Sequence, residues 1–208
     1  SAEASAARVV TPSTNWLSQD IGTVGAAGSF SQSNGVLTIQ GSGADIWYAA
    51  DEFRYAFQAV AGNYMVTARV TNMQNTAGWA KAGVMMRESL NADAKYVINF
   101  MSPANGVALQ QREATGGAAS GVANTTGVAV PYWVRLVRFG NSFSAYLSPD
   151  GTNWTAHRST IVSMNANYYV GLAVCSVNDG TLNQSVFDNV SFAVPQLPGA
   201  VGGLSASA

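Results

Sequence analysis

The sequence predicts an all-β fold, two antiparallel sheets packed face to face in a sandwich of jelly-roll type. Three observations predict it. Short extended runs rich in β-branched and aromatic residues recur along the chain, each bounded by Gly, Asn or Asp. Long amphipathic helical patterns are missing. About nine such runs fall within 208 residues, a length that all-β sandwiches commonly occupy as one domain.

In chain order, residues 1–12 are rich in Ala and Ser and read as a lead-in, and residues 13–194 as the sandwich. The first predicted strands are Gly35–Gln40, Tyr64–Thr71, Ala80–Glu88, Tyr96–Met101 and Val107–Gln111. Trp133–Phe139, Ser142–Leu147, Tyr168–Ser176 and Val186–Val194 follow. The segment Ala49–Gln58, AADEFRYAFQ, fits a turn or two of helix as well as a strand. SPDGTNW at 148–154 reads as a hairpin connection. Pro149 presets φ, Asp150 caps its own turn and Gly151 supplies a positive φ. Its role is read as architectural, with Trp154 packing the hairpin down. Residues 195–208, rich in Pro, Gly and Ser, have linker chemistry. The closing VGGLSASA resembles the opening of a fibronectin type III domain, so covalently linked neighbouring domains are expected.

Composition narrows the function classes. The chain is 48% hydrophobic but only 10% charged, against a usual ~25%, so Ser, Thr, Asn, Gln and Gly must make the surface wettable. Ten basic residues against eleven acidic ones give a net charge of −1. A nucleic-acid partner needs a concentrated basic face, and none is visible. No apolar run approaches the ~18 residues of a membrane-spanning helix. The chain starts at Ser without an apolar signal core, as a processed piece of a secreted or cell-surface protein would.

Catalytic constellations find little support. One His and one Cys exclude a zinc cluster. His157, in WTAHRST, has no nucleophile-elbow pattern near it and reads as an ordinary surface histidine. Cys175, in the apolar run YVGLAVC, reads as an inert core thiol. Glycoside hydrolysis needs two carboxylates roughly 5–10 Å apart. Several of the eleven acids sit in turns, and Glu88 and Glu113 each follow an arginine.

The stretch GWAKAGVMMRESL at 78–90 is the most informative. In a strand, Lys81, Gly83, Met85 and Arg87 share one face, and Ala82, Val84 and Met86 the other. Two of only ten basic residues therefore stand on one face of an apolar run. Arg54, Arg112, Trp47, Tyr48 and Trp79 accompany them, with the amides Asn99 and Gln110 on adjacent strands. Cations, amides and flat rings on one face suit a polyhydroxylated ligand, since hydroxyls take hydrogen bonds and rings stack on apolar sugar faces. The competing reading is an internal lattice of ion pairs, with Asp45 and Asp51 neutralising the cations.

The segments NWLSQDIGTVGAAGSFS, GSGADIWYAADEFRYAFQ, TARVTNMQNT, WAKAGVMMRESL, PYWVRLVRFGNSFSAYLSPDGTNW, YVGLAV and VFDNVSF resemble one family. It comprises bacterial extracellular concanavalin A-like modules, related to laminin-G-type jelly rolls. Some are described by the phrase "regulation of enolase", and many are appended to polysaccharide-active enzymes. The resemblance runs from about Asn15 to Phe192. It implies a groove on a concave sheet lined by Lys81, Arg87 and Arg112, and a polysaccharide or other glycan as partner. It also implies a structural calcium, with Asp188 matching a late ligand position and Asp20 an early one; ordinary turn-capping is the alternative. The expected function is thus a non-catalytic carbohydrate-binding module using Trp47, Tyr48, Arg54, Trp79, Lys81, Arg87 and Arg112. A lyase or hydrolase on the same scaffold, or a structural or adhesive spacer, stays open.

Overall fold

A computed structural model describes the backbone of residues 8–10 and residues 16–195 of the chain. The expected linker beyond Pro195, with its fibronectin-like close, and most of the lead-in lie outside those residues. Fifteen strands are found among them and no helix. They are β1 (Arg8–Val10), β2 (Leu17–Ile21), β3 (Ser29–Ser33), β4 (Val36–Gly41) and β5 (Phe53–Ala61). Next come β6 (Tyr64–Met73), β7 (Lys81–Arg87), β8 (Tyr96–Ser102), β9 (Gly106–Arg112) and β10 (Ser120–Thr125). The last are β11 (Tyr132–Phe139), β12 (Ser142–Ser148), β13 (Thr155–Ile161), β14 (Asn167–Cys175) and β15 (Asn183–Val194).

All nine predicted strands are present. The ambiguous segment resolves into a loop through Glu52 and a strand from Phe53. Its chemistry explains why: Phe53, Tyr55 and Phe57 alternate, and each ring buries on one sheet face. Three residues of the expected lead-in are drawn into the sandwich, where Arg8–Val10 pairs with Val194–Phe192.

The strands form two antiparallel sheets. One runs β13-β12-β11-β6-β15-β4-β3, with β1 alongside β15. The other runs β10-β9-β8-β7-β14-β5-β2. Between them lies an apolar core in which Ala82, Val84 and Met86 of β7 meet Val66 and Ala68 of β6 and Val134 and Leu136 of β11. This is the inward half of β7, as its period of two requires.

The outward half is buried as well. Met85, Ile98, Phe100, Ala108, Tyr55 and Ala173 make a second apolar cluster on the far face of the seven-stranded sheet. Loop 42–52 lies over it through Ile46, which is buried in the same cluster. Every residue of β7, β8 and β9 is therefore buried, which is why their sequences look continuously apolar. Gly83 permits the close fit: a Cβ there would come within 2.3 Å of the Asn99 carbonyl and 2.4 Å of Phe100 Cα.

The hairpin after β12 matches its sequence reading. Asp150 Oδ1 accepts from the amides of Thr152 and Asn153 at 2.8 and 2.7 Å, and Gly151 has φ +78°. The Asn153 and Thr152 donors hold the Asp150 carboxyl well below the usual carboxylate range. Trp154 Nε1 donates to the Gly151 carbonyl at 3.0 Å, and its ring meets Trp133 edge-on.

Candidate functional site

The far face of the seven-stranded sheet carries two distinct constructions. At one end, Arg87 of β7 and Arg112 of β9 converge on Asp51 of the covering loop. All three are fully buried. Arg87 Nη1 lies 2.5 Å from Asp51 Oδ2, and Arg112 grips both carboxylate oxygens, Nη2 to Oδ1 at 2.5 Å and Nη1 to Oδ2 at 2.7 Å. Of the remaining donors, all but the buried Nε of Arg87, which has no partner, reach loop carbonyls. Arg87 Nη2 donates to Asn91 and Ala92, and Arg112 Nη2 donates to Trp47 at 2.8 Å and Tyr48 at 3.2 Å. Tyr96 stands beside the guanidinium of Arg112, 4.9 Å from ring centre to Cζ, and its hydroxyl donates to the Ile46 carbonyl. Burial, reinforced by the Asp51 charge, pushes the Tyr96 hydroxyl far above its ordinary range, so it stays a donor.

This corrects the expectation that Arg87 and Arg112 line an open trough. Their trough is filled by the protein's own loops, and all their terminal guanidinium nitrogens are engaged by Asp51 and backbone carbonyls. Buried cations need counter-charge and hydrogen bonds to persist in an apolar layer; the Asp51 carboxylate offsets one of the two charges, and the loop carbonyls solvate the pair. The arginines act on the site indirectly. Arg112 fixes the backbone of Trp47 and Tyr48, and Tyr48 is held at φ +43°, a conformation that residues other than glycine seldom take.

At the other end the face stays open as a groove of about 570 Å³. Loop residues Asp45, Trp47 and Tyr48 form one wall, and Gly121 to Asn124 of β10 form the other. Ala108 and Gln110 of β9 line it between, with Trp79 and Lys81 at the start of β7. Tyr48 is 72% exposed and Trp79 40%, the largest aromatic surfaces the described residues offer to solvent. Lys81, by contrast, is only 2% exposed. Its Nζ lies 2.5 Å from Asp45 Oδ1 and over the Phe100 ring at 5.2 Å. Asp45 Oδ1 also accepts from the Ile46 amide at 2.7 Å. Among the described residues every hydrogen bond to that carboxylate reaches Oδ1, and Oδ2 is neither bonded nor sealed off. Gln110 is 7% exposed, and its buried Oε1 has no partner.

The other expected site residues are placed elsewhere. Arg54 alternates with Phe53 and Tyr55, so it faces away from the covered side, where Nε donates to Ser18 at 2.8 Å and Nη1 pairs with Asp20 at 3.3 Å. Asn99 points between the sheets. Its amide donates to the carbonyls of Arg135 and Tyr146, and its Oδ1 lies 3.2 Å from His157 Nδ1. His157 is consequently half-buried rather than a surface residue, and burial lowers its pKa. Cys175 is buried, which pushes its thiol up to about 12 and leaves it unreactive at neutral pH. Asp20 pairs with Arg54 and accepts from the Gly28 amide, while Asp188 pairs with Arg69 and Asn189. Each carboxylate thus has an arginine already. Among the described residues no three His, Cys, Asp or Glu side chains group together.

No family model matches the sequence, and no curated protein matches it. Solved structures match the fold. A functionally unknown protein from Saccharomyces cerevisiae superposes with a TM-score of 0.67 at 16% identity, covering 88% of this chain and 96% of that one. The carbohydrate binding module CBM66 from Bacillus subtilis gives 0.53 at 18% identity, over 86% and 94% of the two chains. Lectin I-B4 from Griffonia simplicifolia gives 0.51 at 9%, over 90% and 96%. The fold is the concanavalin A-like jelly roll.

Within this jelly roll, two features of the groove escaped sequence reasoning. One wall, β10, is a run of small polar residues, SGVANT, with too few β-branched positions to mark a strand. Gln110 was visible as an amide on an apolar strand, but nothing in the sequence distinguished it from Asn99. Strand register does: Gln110 pairs with Ile98 on the covered face, and Asn99 falls one residue out of phase.

Proposed function

We propose that the protein is a non-catalytic carbohydrate-binding module that takes a polysaccharide segment in the groove between loop 42–52 and β10. Trp47, Tyr48 and Trp79 supply stacking surfaces, Asp45 and Gln110 supply hydrogen bonds, and Lys81 orients Asp45. The observation that carries the reading is the exposure of Tyr48 and Trp79 at the rim of a groove whose floor holds Asp45 and Gln110. Exposed aromatic rings are costly in water unless something covers them, and a sugar's apolar face does so while its hydroxyls meet the polar groups below. The groove volume is of the size that small ligands fill. A carbohydrate binding module and a lectin share the fold, which agrees with this reading.

The non-catalytic part rests on the carboxylates. Asp45 is the one acidic residue among those lining the groove, where glycoside hydrolysis calls on a pair. The low charge and polar, uncharged surface suit a secreted or cell-surface bacterial protein in which this module sits beside other domains.

Native affinity electrophoresis through gels containing polysaccharides tests the reading. Trp79→Ala should weaken retardation about tenfold or more, as loss of a central aromatic contact does. Undiminished retardation by Trp79→Ala and by Tyr48→Ala would place the binding elsewhere.

A further inference from the structure

We infer that the groove selects an uncharged glycan and disfavours uronic-acid and sulfated ones, an inference that rests on the binding reading above. Strand cations by themselves would suit an acidic glycan as well as a heavily hydroxylated one. The decisive observation is where the positive charge goes.

Two charged residues line the groove, Lys81 and Asp45, and they neutralise one another across 2.5 Å. Their accessibility is unequal. Lys81 is 2% exposed, boxed in by Asp45, the Trp79 carbonyl and the ring of Phe100. A ligand carboxylate or sulfate would have to strip away Asp45 to reach it. Arg87 and Arg112 lie fully buried, with Asp51 between them. What the groove offers a ligand is the free Oδ2 of Asp45, the side-chain amide of Gln110 and aromatic rings.

A carboxylate oxygen accepts hydrogen bonds and donates none. It therefore recognises hydroxyl donors and offers an anion no hydrogen bond. Gln110 supplies the independent observation. Its side chain is more than nine-tenths buried, lines the groove, and carries an Oε1 with no partner. That oxygen is sealed from solvent, whereas Nε2 is neither bonded nor sealed off among the described residues, so Gln110 offers the groove an N–H donor. A carboxylate acceptor and an amide donor beside aromatic rings suit sugar hydroxyls, which both give and take hydrogen bonds. Because Lys81 cancels the charge of Asp45, the floor has no net pull on a cationic amino sugar.

The test is affinity electrophoresis of the full chain in two sets of gels. One set holds neutral polymers: arabinoxylan, galactomannan, levan and hydroxyethyl cellulose. The other holds charged ones: polygalacturonate, alginate, carrageenan and chitosan. Retardation is expected from at least one neutral polymer and from no charged one, with little change up to about 0.5 M salt, where exposed charges are screened. Gln110→Leu should weaken it about tenfold or more, the cost of losing a buried hydrogen bond to the ligand. Asp45→Asn should weaken it similarly; because this variant leaves Lys81 unpaired, circular dichroism checks its fold and Gln110→Leu stands as the independent variant. Retardation confined to charged polymers, yet lost in Trp79→Ala, would overturn the inference while leaving a sugar-binding groove intact. Absence of retardation by any polymer, or retardation indifferent to Trp79→Ala, would overturn the binding reading and the inference with it.

Discussion

Arg87 and Arg112 reach Asp51 from strands separated by β8, and the three side chains together close one end of the covered face. Removing Asp51 would leave two buried, uncompensated cations, and removing Arg112 takes a donor from Asp51 Oδ1 and from the Trp47 and Ala94 carbonyls. Arg112→Ala is expected to lower unfolding free energy by about 3–5 kcal/mol, read from the midpoint of urea denaturation. Arg112→Lys should recover only part of it, since an ammonium cannot span both oxygens of Asp51 and two loop carbonyls in one plane. Full stability in Arg112→Lys would mean the guanidinium geometry is immaterial. A second residue-scale prediction concerns acid. The hydrogen bond from Arg69 holds the Asp188 carboxyl below its ordinary value. An unfolded aspartate titrates near ~3.9, so the stabilisation is complete above that pH and is lost as pH falls through the lower folded value. Thermal midpoints should therefore drop on acidification below about pH 4, and less steeply in Asp188→Asn. Parallel curves for the two proteins would remove Asp188 from the account.

Loop 42–52 is the element on which the site depends. It is tied down along its length: Ile46 bridges to Asp51, the Asp51 amide donates to Ala92, and the Tyr48 carbonyl accepts from the Ala119 amide. Gly43 lets the loop turn back on itself. Its φ is +119°, and a Cβ there would come within 1.9 Å of the Glu52 carbonyl. Gly43→Ala should cost roughly 1–3 kcal/mol or more from backbone strain and overlap, measured by thermal denaturation, and should weaken glycan retention with it. An alanine accepted without loss would show that the loop has slack. Tyr48→Gly relieves the strained backbone but removes a ring, so its expected signature is divided: stability unchanged or raised, binding reduced.

At the scale of the whole molecule, what the sequence discloses is what depends on neighbours in the chain. Alternation along KAGVMMR correctly separates Lys81, Met85 and Arg87 from Ala82, Val84 and Met86, because a period of two is a property of the strand itself. Of the five strands left unread, β2, β3, β10 and β13 are the four sheet edges, and β1 pairs with β15 alone. An edge strand pairs on one side only and buries less, so its residues can be small and polar, as SGVANT and TAHRSTI are. Whether the face of Lys81 and Arg87 opens to water is illegible for a different reason. It is decided by Asp51 meeting Arg112, residues 61 apart in sequence, and by a loop whose course follows from that meeting. The cations thus belong to the scaffold and the aromatics to the surface, a division no local pattern encodes. Tryptophan offers the most direct check, since the chain holds five and only Trp47 and Trp79 border the groove. Titrating the labelled protein with an oligosaccharide of the retarding polymer, and following the five indole N–H signals by NMR, should shift Trp47 and Trp79 while Trp16, Trp133 and Trp154 stay in place. Shifts at Trp133 and Trp154 with the groove pair unmoved would contradict the account.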